Sequence, residues 1–127
     1  MKVKKEMVEE FFTKGGTYLD LVVHGICYQS AKNARDNGEC APVAAYRLAE
    51  VLNVPFWDFV EKTRGSFMAW RRVCLGLTQK QLAEKADVSV NALAIAERDH
   101  RMPTFNSLQK LASALNMTVS DYIGEGL

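Results

Sequence analysis

TQKQLAEKADVSVNALAIAERDHRMPTFNSLQKLASALNMTVSDYI, residues Thr78 to Ile123, is a series of short apolar stripes separated by capping and turn residues. Thr78 is a good helix N-cap, and Gln81 three residues on completes a capping box. Leu82, Ala83 and Ala86 give the helix that follows one apolar stripe. Asp87-Val88 breaks that pattern, and Ser89 caps a second helix in which Leu93 and Ala96 repeat at i, i+3. Arg98-Asp99-His100-Arg101 reads as a polar loop, and Met102-Pro103-Thr104 opens a helix with Leu108, Leu111, Ala112 and Leu115 at helical spacing. Asn116 ends that helix, and Val119, Tyr122 and Ile123 form a last short one. Upstream, Phe67, Trp70, Arg71, Val73 and Cys74 fit a first helix ending near Gly76. Short helices with short connections predict a compact all-α bundle of five.

Two helices separated by Asp87-Val88-Ser89, with a small residue at Ala83, are what a helix-turn-helix requires. The small side chain lets the second helix cross the first closely and project into a major groove. The pattern resembles the Cro/phage-repressor (XRE) family of helix-turn-helix proteins over about Phe67 to Ile123. The resemblance is carried by Leu77-Thr78-Gln79, Gln81-Leu82-Ala83, Val88-Ser89, Glu97 before a polar turn, Pro103, and the run Leu111-Ala112-Ser113-Ala114-Leu115. It implies a lambda-repressor-like bundle that binds double-stranded DNA without a cofactor.

The resemblance also implies roles. Gln79, at a helix start, holds a DNA phosphate with its amide and the helix N-terminus, flanked by Thr78 and Lys80. Ser89, Val90, Asn91, Ala94 and Ile95 occupy the groove-facing start of the recognition helix. Arg98, His100 and Arg101 lie near the backbone beyond it, and Glu97 matches an acidic helix-end position that is structural. The sequence departs from the family at the groove-facing positions, which are commonly Gln, Arg, Ser or Thr. Here they are mostly Val, Ala and Ile, leaving Asn91 as the amide able to pair with adenine and the apolar residues to pack on thymine methyls.

Sliding the chain on itself by 63 residues lays Leu48 to Val60 over Leu111 to Ile123. Leu48, Ala49, Leu52, Asn53 and Asp58 are identical in that overlay, where chance gives roughly one match. Further back, Thr17 caps a helix centred on Leu19, and Gly25-Ile26-Cys27 serves as a turn. Tyr28 to Arg35 then takes the recognition-helix place, and Asp36-Asn37-Gly38 ends it. The expectation is therefore two tandem helix-turn-helix-like units: a degenerate one over 1–63 and a DNA-binding one over 64–127, joined near Glu61 to Gly65. The first carries a possible second DNA-binding surface in Tyr28, Gln29, Ser30, Lys32 and Asn33. Its helix before the turn is unusually apolar at Leu21-Val22-Val23 and lacks a counterpart of Gln79.

The chain has 127 residues, 48% of them hydrophobic and 24% charged, as a folded globular protein has. Its net charge of +1 divides as 8 Lys/Arg against 9 Asp/Glu over residues 1–63 and 8 against 6 over residues 64–127. A DNA reader so weakly basic must gather its cations on one face. Three cysteines, Cys27, Cys40 and Cys74, with no CxxC pair, speak against a disulfide framework or a structural zinc and for reduced core thiols in a cytoplasmic protein. No segment reads as a secretion signal or membrane span. His24 and His100 lack clustered carboxylates, and Lys14-Gly15-Gly16-Thr17 lacks the GxxxxGK pattern, so an enzyme is not expected and no small-molecule ligand is evident. The expected function is a transcription regulator, a repressor of the mobile-element, phage or antitoxin kind. The alternative is an adaptor or antirepressor that docks a protein on its apolar recognition helix. A homodimer sealed by Tyr122, Ile123 and Leu127 is expected, with a tandem-unit monomer as the other possibility.

Overall fold

A computed structural model describes residues 1–125 of the chain. They form two compact units, Met1–Glu61 and a second beginning at Lys62. Ten helices run through the described residues, with isolated bridges as the only extended pairing.

In the second unit the order is α6 (Arg64–Cys74), α7 (Gln79–Ala86), α8 (Val90–Glu97), α9 (Phe105–Ala114) and α10 (Val119–Glu125). Each of the first four starts at a hydroxyl. Thr63, Thr78, Ser89 and Thr104 accept hydrogen bonds from the backbone N–H groups of Ser66, Gln81, Ala92 and Ser107. At Thr78 the capping box is complete, because Gln81 Oε1 accepts from the Thr78 N–H in return at 2.9 Å. Such caps contribute about 1 kcal/mol each. Asp87 closes α7 in the left-handed region, at φ 55°, so the chain turns sharply before Ser89.

The core of this unit is Met68, Leu82, Leu93, Leu111, Leu115 and Tyr122, all essentially inaccessible. Helix α7 packs on α8 and α9, and α6 on α8 and α10. The stripe expected on α6 is displaced toward the helix start. Gly65, Ser66, Phe67, Met68, Ala69 and Arg72 are buried, whereas Trp70, Arg71 and Val73 are half-buried and Cys74 is exposed. Gly65 is the reason: a Cβ there would lie 2.5 Å from the carbonyl oxygen of Glu97 and 2.7 Å from that of Ala96. The first turn of α6 thus meets the end of α8 backbone to backbone. Asp99, itself at φ 61°, secures the junction by accepting from the Gly65 N–H at 2.8 Å and the Thr63 hydroxyl at 2.6 Å. Arg64 and Gly65 are therefore helical rather than part of a joint.

The first unit comprises α1 (Lys5–Thr13), α2 (Tyr18–Val23), α3 (Tyr28–Asn37), α4 (Pro42–Leu52) and α5 (Phe56–Phe59). Thr17 caps α2 with a capping box closed by Asp20, and α3 ends at Gly38, in the left-handed region at φ 67°. Leu21, not Leu19, anchors α2: Leu21 is fully buried while Leu19 is 71% exposed. Before α1, residues Met1–Lys4 are extended and lace the unit together. The Val3 N–H donates to Gly38 O at 2.9 Å, the Lys4 N–H to Phe59 O at 2.8 Å and the Glu61 N–H to Lys2 O at 2.9 Å.

Two expectations about side chains fail. Of the cysteines only Cys40 is buried, its thiol pushed up to about 11 by burial, while Cys27 and Cys74 are exposed. Tyr122 lies inside its own unit at 1% exposure, so it cannot line a subunit seam as it stands; Ile123 is 40% exposed. Leu127 lies outside the described residues.

Candidate nucleic-acid interface

Helices α7 and α8 with the turn between them form the candidate surface. Leu93, Ala96 and Glu97 pin α8 to the core, and Leu82, Ala83 and Ala86 pin α7. Ala83, at 2% exposure, is the small residue at the crossing. What remains on the outside of α8 is its start: Ser89, Val90, Asn91 and Ala92 are exposed, and Ala94 and Ile95 are half-buried. Ala92 was not among the expected groove residues, although its place one residue before the buried Leu93 puts it outside. Lys80, Arg98, His100 and Arg101 are exposed as well, on α7 and on the loop that follows α8.

The end of α8 is held by a buried polar network. The Arg72 Nε donates to Glu97 Oε2 at 2.7 Å and Nη2 to Glu97 Oε1 at 2.9 Å, with the two side chains 5% and 4% exposed. Arg72 Nη1 also donates to the Leu77 carbonyl at 2.9 Å. Paired, bidentate and hydrogen-bonded, these charges tolerate burial that an isolated one would not. Gln79 joins them: its Nε2 donates to Glu97 Oε1 at 3.0 Å. One of its two amide hydrogens is thereby committed inward, and the network fixes the start of α7 against the end of α8. Glu97 is structural, as the resemblance implied. Arg72 was missed by sequence reasoning, because an arginine in a helix ordinarily reads as solvent-facing.

Beside α8 the 98–104 loop and the start of α9 enclose a groove of about 270 Å³, lined by Val88, Ala92, Ile95, Met102, Pro103 and Leu111 among others. Its walls are mainly hydrocarbon, with Asn91 and Arg101 among the residues that line it.

Residues 68–122 match the family model for a helix-turn-helix. The second unit is a Cro/repressor-type helix-turn-helix domain. A stretch of 49 residues is 49% identical to the immunity repressor protein of Bacillus phage phi105, and spans 39% of this chain and 34% of that repressor. The match therefore covers about a third of the relative's length. The family match takes in the Arg72–Glu97 pair, the turn at Asp87 and the exposed start of α8.

In the first unit the corresponding surface is differently furnished. Tyr28 and Gln29 on α3 are exposed, with Ser30 half-buried. Gln29 Nε2 donates to Asn33 Oδ1 at 2.8 Å, and Lys32 Nζ pairs with Asp36 at 3.0 Å. These polar groups satisfy one another along the helix. Among the described residues no cluster of His, Cys, Asp and Glu could hold a metal ion, and no helix is long and apolar enough to cross a membrane.

Proposed function

We propose that the chain is a sequence-specific transcriptional regulator of repressor type, acting in the cytoplasm, whose helix-turn-helix domain places the start of α8 in the major groove of duplex DNA. The observation that carries this reading is the exposed start of α8 with cations on either side of it in sequence. Lys80 precedes it and Arg98 and Arg101 follow, while every residue that locks the helix in place faces inward. Ser89, Val90, Asn91, Ala94 and Ile95 then meet the bases, and the cations meet phosphates. Thr78 and Gln79 present the start of α7 to a phosphate, Gln79 with its remaining amide hydrogen.

The first unit is, on this reading, a diverged copy of the domain. Support comes from the same order of five helices, from Thr17 and Thr78 as capping-box residues, and from Asn53 and Asn116 at φ 57° and 54° after α4 and α9. On its Tyr28, Gln29, Ser30, Lys32 and Asn33 face the Lys32 charge is offset by Asp36 and one Gln29 amide hydrogen is used by Asn33. On this reading that face contributes less to DNA affinity than α8 does.

Selection of bound sequences from a random duplex pool tests the reading, followed by affinity measurements from low to high salt. One sequence is expected to be enriched, with affinity falling steeply as salt rises through counterion release. A palindrome in that sequence indicates two copies of the chain, and a direct repeat indicates both units of one chain. A pool from which nothing is enriched at low salt overturns the proposal and favours a protein-docking role for α8.

A further inference from the structure

We propose that the helix-turn-helix domain reads A·T pairs, chiefly through the C5-methyl groups of thymine, with Asn91 pairing to one adenine. The inference rests on the reading above, that α8 enters the major groove, and names what it selects there.

The surface offered to the bases is unusual in what it lacks. From Val90 to Ala96, α8 holds no Arg, Lys, Gln, Asp or Glu. Glu97, the one charged residue of the helix, is buried against Arg72 and Gln79. Recognition of guanine in the major groove needs donors to its O6 and N7, and recognition of cytosine needs an acceptor for its N4 amino group. On α8 such groups reduce to the Asn91 amide, the Ser89 hydroxyl at its cap already accepting from the Ala92 N–H. An apolar side chain against a G·C pair instead removes water from those polar edges and returns no hydrogen bond, which is a penalty.

Thymine alone shows the major groove an apolar group. Val90, at 42% exposure, and the half-buried Ile95 are the side chains suited to meet it. The groove of about 270 Å³ beside α8 adds hydrocarbon walls from Ala92, Ile95, Met102 and Pro103. Asn91 is exposed, its amide engaged by no other side chain among the described residues, and an amide of that length pairs bidentately with adenine N6 and N7. The occupant is set by charge: Arg101 lines the groove itself, and Lys80 on α7 and Arg98 after α8 are exposed, which suits a polyanion.

The test starts from the duplex that the full chain selects from the random pool, with affinity read by fluorescence anisotropy at one salt concentration. Each thymine is replaced in turn by deoxyuridine, which deletes the methyl and leaves every hydrogen-bonding edge unchanged. At least two positions should each lose about fourfold in affinity, the worth of one buried methyl. At one of these the loss should vanish in the Val90→Ala protein, which has no partner left for that methyl. Asn91→Ala should relax the choice at a single adenine. Val90 and Asn91 are exposed, so both variants should keep the wild-type circular dichroism melt.

A selected site dominated by G·C pairs, or one whose thymines all tolerate deoxyuridine, overturns the inference while leaving DNA reading intact. A pool in which nothing is enriched overturns both together.

Discussion

In the helix-turn-helix domain the first and third helices are joined by Arg72 of α6 and Glu97 of α8, both buried. In the first unit the same two helices are joined by Glu9 of α1 and Arg35 of α3, with the charges exchanged and the side chains 47% and 32% exposed. Arg35 stacks its guanidinium 4.0 Å from the centre of the Phe12 ring, a cation–π contact in place of the buried network. The surfaces diverge in the same sense. Lys80 and Glu84 are exposed on α7, whereas Leu19 and Val23, at the corresponding turns of α2, are 71% and 74% exposed. The capping box of α2 is closed by Asp20, a carboxylate where a phosphate would have to approach, and that of α7 by the neutral Gln81. Helix order and the capping box of the second helix are common to the two units. The side chains that lock the third helix and the side chains that would meet DNA are not, which is why the proposed reading head is assigned to one unit.

The sharpest test of that contrast is the buried pair. Glu97→Ala leaves Arg72 charged and unpaired in the core, a loss of about 3–5 kcal/mol, and also frees the start of α7 that Gln79 holds. Hydrogen exchange read by mass spectrometry should show protection lost across residues 62–125 and kept across 1–61. Glu9→Ala removes a half-exposed partner, and should leave protection in its own unit almost unchanged because solvent screens such pairs. Equal sensitivity of the two units would dissolve the distinction.

DNA affinity comes next. Arg98→Ala should weaken binding and lower the slope of log affinity against log salt by about 1, the signature of one lost phosphate contact. Lys32→Ala, on the paired face of α3, should leave both unchanged. A matching loss with Lys32→Ala would give the first unit a share of the DNA surface. A third comparison exchanges the surfaces themselves: Lys80→Leu should lower affinity, and Leu19→Lys should raise solubility without altering the thermal midpoint, since Leu19 packs on little.

Much of the second unit was legible because its signals are local. Thr78 with Gln81 and Ser89 before α8 announce helix starts within three residues of themselves and form the expected caps, and Thr104 caps the helix expected to open there. What escaped is long-range or backbone-borne. Arg72 finds its carboxylate 25 residues away, and nothing near it in sequence distinguishes it from its half-exposed neighbour Arg71. The clue lay in Glu97, an acid one residue past the buried Ala96, which requires a cation. Leu21-Val22-Val23 reads as uniformly apolar, yet a six-residue helix turns only one of the three inward. The lacing by Met1–Lys4 runs through main-chain groups, which side-chain pattern does not report. On the proposed DNA surface, the exposure of Val90, Asn91 and Ala92 follows directly from the inward spacing of Leu93 and Ala96.

The smallest expected effect probes what the units share. Asn53 after α4 and Asn116 after α9 both sit in the left-handed region, where a Cβ-bearing residue without a local polar group is strained. In both cases the chain reverses there, and the next residue's N–H returns to the helix: Val54 to Ala49 O and Met117 to Ala112 O, each at 3.0 Å. Alanine keeps the Cβ and loses the polar group, so Asn53→Ala and Asn116→Ala should each cost about 1 kcal/mol. Glycine accepts the conformation without strain, and at both positions it should largely restore the loss. Paired urea titrations of the four variants measure this directly. Similar losses and similar rescue mean that the two units close their fourth helix by the same backbone device. A loss confined to one of them separates the units at the level of the fold as well as of the surface.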